Sequence, residues 1–99
     1  MEVIKKNEGG VLTAVVKGRL DTNSAPDLEK EITPELGGVN TLIFDFSDLV
    51  YISSAGLRVI LLMHKTMNAA KKKFIIRNPH AEVMEIFEMT GFSSFLTIE

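Results

Sequence analysis

Ser53 and Ser54 are adjacent hydroxyls between two apolar runs, one strand-like from Thr41 to Phe46 and one helix-like from Leu57. Where a strand hands over to a helix, the helix start offers unpaired N–H groups and a partial positive charge. A hydroxyl there can cap the helix, carry a phosphate or act as a nucleophile. The nucleophile option calls for Gly-x-Ser-x-Gly, and here Ile52 and Ser53 precede Ser54. His64 and His80 show no triad pattern and no carboxylates at metal-ligand intervals. A phosphate-binding Gly-x-x-x-x-Gly-Lys loop is missing. No catalytic residue, metal ligand or cofactor is therefore assigned. The chemistry these residues favour at the serines is capping and modification, with nucleophilic catalysis the weaker alternative.

The chain around them bounds the setting. Ninety-nine residues, 45% hydrophobic and 24% charged, suit one compact domain spanning residues 1–99. A formal net charge of −2 gives no reason to expect a nucleic-acid partner. There is no cysteine, which fits a reducing compartment. The start, Met1 to Lys6, lacks the apolar stretch of a signal peptide, and the run Val59 to Met63 is too short to span a bilayer. The expectation is a cytoplasmic protein with no membrane insertion.

The elements that must position the hydroxyls follow from patterning. Val3 to Lys6 and Val11 to Lys17 read as a hairpin around Gly9-Gly10, with Gly18 ending the second strand. Ser24 and Asp27 have capping-box spacing ahead of a helix whose stripe is Leu28, Ile32 and Leu36, broken near Pro34. Thr41 to Phe46 is nearly continuously apolar, which predicts an interior strand covered on both faces. A second helix runs from Leu57 to about Ala70, and Lys71-Lys72-Lys73 suits its C-terminal dipole. Phe74 to Arg77 is a strand. Asn78 and Pro79 then look like the cap and first residue of a third helix ending at Thr90-Gly91. A last edge strand falls within Phe92 to Ile98. The fold class is α/β, a mixed sheet in the order β-β-α-β-α-β-α-β with helices packed against it.

Three segments in this order and spacing resemble the STAS domains of anti-sigma factor antagonists. They are Gly18-Arg19-Leu20-Asp21-Thr22, Leu42 to Ser47 with the hydroxyl segment after it, and Ser54-Ala55-Gly56-Leu57. The resemblance runs from about Val3 to Ile98. It implies a bacterial, non-catalytic regulator of transcription that binds an anti-sigma factor with serine kinase activity. Phosphorylation of one serine at the start of the second helix would switch binding off, and a serine phosphatase would restore it. The acceptor position falls on Ser54. Ser53 stands where antagonists with a defined switch usually carry aspartate, so it is the second candidate.

The partner-binding face implied is Asp21, Asp48, Ser53, Ser54, Gly56 and Arg58. For Gly56 two roles stay open: clearing space around the serine, or close packing of the helix. A different job on the same fold is that of an accessory subunit on the ATPase of an ABC-type lipid transport complex. A serine hydrolase or a nucleotide-binding module is the weaker alternative.

Overall fold

The computed structural model describes all 99 residues. Strands β1 (Glu2–Glu8) and β2 (Val11–Leu20) form the opening hairpin. Helix α1 (Ala25–Ile32) follows and tightens into a 3-10 turn, Thr33–Gly38. Then come β3 (Thr41–Asp45), β4 (Leu49–Ile52), α2 (Ser54–Ala69), β5 (Lys73–Arg77), α3 (Ala81–Thr90) and β6 (Thr97–Ile98). The sheet order is β1-β2-β3-β5-β6, with β4 also paired to β2. Only β1–β2 is antiparallel.

Strand β2 forks. Its first half, Val11 to Val15, pairs with β3, and Gly18 to Leu20 pair with β4. The division falls at Gly18, whose φ of +88° favours a residue without Cβ, and a register shift follows between Gly18 and Arg19. The strand therefore continues past the glycine expected to end it.

Strand β4 is the element the sequence reading lacked. Its burial runs buried, exposed, exposed, buried, so Leu49 and Ile52 face the core while Val50 and Tyr51 do not. Four residues without alternation carry no period-2 signal. Helix α2 also begins earlier than Leu57, because Ser54 to Gly56 form its first turn.

Two capping expectations are corrected. Ser24 makes no side-chain cap to α1; its hydroxyl donates instead to the Arg19 carbonyl at 2.8 Å. Helix α3 starts after His80, not at Asn78-Pro79. Asn78 is left-handed, with φ of +57°, and its N–H donates to the Glu99 carbonyl at 3.0 Å. That bond joins β5 to the C-terminus rather than opening a helix.

The helices share one core. Every buried residue of α1, α2 and α3 except Gly56 belongs to a single cluster with Leu12, Ala14, Val16, Leu42, Phe44, Phe74 and Ile76. Aromatic rings fill its centre: Phe44 meets Phe74 edge-on at 5.2 Å, and Phe46 stacks on Phe87 at 6.5 Å. Such pairs add about 0.5–1.5 kcal/mol beyond the area they bury. Ile43 points to the opposite face of β3 and lies outside this cluster. It is buried among its neighbours in register, Thr13 and Ile75, not beneath a helix layer. The expected cover on both faces of β3 is thus present on one face only.

At the sheet edge, Lys5 of β1 reaches Glu35 at 2.6 Å and Glu31 at 2.9 Å, tying the hairpin to α1 and the turn after it. The Glu35 hydrogen bond, then that of Glu31, raises the Lys5 pKa. Lys72 donates to the Leu36 carbonyl at 3.0 Å, so one of the three lysines after α2 is a structural tie.

Candidate functional site

The site begins where β2 and β4 end together. Leu20 pairs with Ile52, so Asp21 and Ser53 leave the sheet side by side. The Ser53 N–H donates to the Leu20 carbonyl at 2.9 Å, extending the ladder by one bond. Ser53 then opens α2. Its carbonyl accepts from the Leu57 N–H at 2.9 Å and its Oγ accepts from the Gly56 N–H at 3.3 Å. Ser53 is therefore the N-cap of α2.

Ser54 is the first residue of the helix proper and is exposed. Its hydroxyl makes no hydrogen bond within the chain. No acidic residue occupies the first turn of α2, so the positive end of the helix dipole is uncompensated there.

Gly56 resolves between its two roles. It is buried, and a Cβ on it would lie 2.8 Å from Leu20 Cγ, 2.8 Å from Ile52 Cγ1 and 2.9 Å from the Leu20 carbonyl oxygen. Its missing side chain lets α2 press against the ends of β2 and β4. It belongs beneath the face, not on it.

Asp21 is held by the loop it starts. Its Oδ1 accepts from the N–H groups of Asn23 at 3.0 Å and Ser24 at 3.1 Å, and its own N–H donates to Ser24 Oγ at 2.9 Å. The Ser24 N–H is the largest cause holding the Asp21 carboxyl below its ordinary pKa. Partial desolvation opposes this; the Ser24 hydroxyl, the Asn23 N–H and the Arg19 charge add to it. Arg19 Nε lies 3.8 Å from Asp21 Oδ2, and its guanidinium covers the Tyr51 ring at 4.2 Å.

Asp48 does not join this group. It precedes β4, where its carbonyl accepts from the Gly18 N–H at 3.0 Å and its carboxylate faces Lys17 at 3.9 Å. The extended strand carries Ser53 roughly 15 Å away along the sheet. The sequence put the two close because β4 was not recognised between them.

Arg58 is exposed and one helical turn beyond Ser54. With Ala55, Val59 and Leu62 it forms one wall of a groove of about 430 Å³; Thr22, Ala25, Pro26 and Glu29 form the other. The structure thus gathers Asp21, Ser53, Ser54 and Arg58 on one rim. It adds Arg19 and Tyr51, which the sequence reading passed over. An aromatic residue in a short apolar run was the available signal, and it pointed to the core.

The STAS domain family model matches residues 2–99 of the chain. The chain belongs to the STAS domain family. BtrV of Bordetella bronchiseptica, provisionally named an anti-sigma factor antagonist, is 33% identical to this STAS domain over 90 residues, covering 90% of this chain and 78% of that protein. A Thermotoga maritima protein with the same provisional name superposes with a TM-score of 0.91 at 21% identity, covering 97% of this chain and 84% of that one. The anti-sigma factor antagonist SpoIIAA in its unphosphorylated form gives a TM-score of 0.81 at 18% identity, covering 99% and 87%. At these identities the structural likenesses show the fold. No helix of this STAS domain is long and apolar enough to cross a membrane.

Proposed function

We propose that this STAS domain is an anti-sigma factor antagonist, switched off by phosphorylation of Ser54. Its partner is an anti-sigma factor that also acts as a serine kinase, and a serine phosphatase reverses the modification. The observation that carries the reading is the division of labour at the start of α2. Ser53 caps the helix, and Ser54 presents an exposed hydroxyl with no structural duty. The name of BtrV supports the same role.

In the transfer step, Ser54 Oγ forms a bond to the terminal phosphorus of a nucleoside triphosphate held by the kinase. The bond from that phosphorus to the bridging oxygen breaks, and the hydroxyl proton passes to a base on the kinase. The product carries roughly −1.5 to −2 charge at pH 7. The helix N-terminus tolerates it, by about 0.3–1 kcal/mol at an exposed site. A partner surface shaped around a neutral serine must instead desolvate that charge. The cost is several kcal/mol, enough to abolish a micromolar contact. Switching is by local charge on an unchanged fold.

The test is affinity capture from the native cell, followed by intact-mass measurement after adding ATP. The unmodified chain should capture an anti-sigma factor with a kinase domain and gain one phosphate. Ser54→Ala should gain none, and Ser54→Asp should lose the partner without losing its thermal midpoint. Capture of a transporter ATPase, or a Ser54→Asp chain that binds as before, would defeat the reading.

A further inference from the structure

Ser54 and Arg58 are four residues apart on a regular helix, which puts their Cβ atoms about 5–6 Å from each other on one face. Arg58 is exposed and makes no ion pair, whereas Arg19, the other cation on this rim, is engaged. Arg19 covers Tyr51 at 4.2 Å and approaches Asp21 at 3.8 Å. Glu29, on the far wall of the groove, also makes no ion pair with Arg58. The anion-before-cation order at this spacing is the favourable one on a helix. The Ser54 hydroxyl is unbonded, so a group attached to it can turn toward position 58.

We propose that Arg58 holds the phosphate of phospho-Ser54, folding back along α2 to do so. The proposal rests on the reading of Ser54 as the acceptor. A guanidinium offers a planar fork of donors that matches two phosphate oxygens at once. One modification then makes two changes: it places an anion on the rim and withdraws a cation from the wall of the α1–α2 groove. The pair keeps a net negative charge, so the partner is still refused. A phosphatase must displace Arg58 to reach the phosphorus.

The test needs no partner. Phosphoserine is installed at position 54 of the full chain by orthogonal translation, and the phosphate is titrated by phosphorus NMR. The other charged groups on the rim, Asp21, Arg19 and Glu29, stay in place. With Arg58 present, the second phosphate pKa should lie roughly 0.15–0.4 unit below that in Arg58→Gln. Arg58→Lys should keep part of the shift, and Arg19→Gln should leave it intact. Thermal melts establish that each variant is folded. Identical titrations with and without Arg58, or a shift that follows Arg19, would overturn the proposal. Failure of the parent reading shows separately, as phosphorylation on Ser53 or on neither serine in the capture experiment.

Discussion

The Ser53 N–H is bonded to the Leu20 carbonyl at 2.9 Å, which fastens the start of α2 to the end of β2. Ser53 spends its N–H on the sheet and its Oγ and carbonyl on the helix. Ser54, the next residue, spends none of its side chain. Two neighbouring hydroxyls that look alike in sequence therefore differ in what their removal does.

Ser53→Ala should lower stability by about 0.5–1 kcal/mol, the low end for a lost cap because the Oγ contact is long at 3.3 Å. Ser54→Ala should stay within about 0.5 kcal/mol of the parent. Urea denaturation of the two variants checks both. The reverse order, with Ser54→Ala the more damaging, would mean that Ser54 is the structural residue.

Gly56→Ala has opposing effects. Alanine in a helix gains about 1 kcal/mol over glycine. Here the added methyl meets a backbone oxygen at 2.9 Å as well as two side chains at 2.8 Å, and overpacking costs roughly 1–3 kcal/mol. The backbone of β2 cannot yield as a side-chain tip can, so the net effect is a loss. A higher denaturation midpoint for Gly56→Ala would show that the close approach of α2 to Leu20 does not exist in solution.

Asp21 gives a pH signature. Its folded pKa is lowered, so its ionised form binds the loop more tightly than the protonated form does. That stability is fully present above the unfolded carboxylate value of about 3.9 and is lost as pH falls through the folded pKa. Asp21→Asn keeps an oxygen to accept from Asn23 and Ser24 but removes the charge. Thermal midpoints of the two proteins should differ at neutral pH and converge only below about pH 4. A gap that stays constant into strong acid would remove the charge from the account.

Most of the scaffold was legible because its elements are periodic and long. The hairpin, α1, β3, α2, β5 and α3 each carry a stripe or a β-branched run. What was not legible depended on contacts distant in sequence. Val50 and Tyr51 hide β4, since a strand is hard to see when its two middle residues are both exposed. Ser24 has the right spacing for a cap, yet the Arg19 carbonyl takes its hydroxyl. Asn78 has the right type for a cap, yet the C-terminal carbonyl takes its N–H.

At the site, the sequence identified Ser53, Ser54, Asp21 and Arg58 as neighbours. It included Asp48, which the undetected strand carries away, and Gly56, which lies beneath the surface. It omitted Arg19 and Tyr51, whose pairing exists only because β2 continues past Gly18.

The fork in β2 has a kinetic consequence. Asp21 and Ser53 on the rim hang from β2, an interior strand paired on both sides, so the rim is anchored before any encounter. A visitor finds a finished mould and loses little entropy ordering it. For the partner binding proposed above, the speed of recognition would then be set by collision and alignment, and regulation would act on the lifetime of the complex.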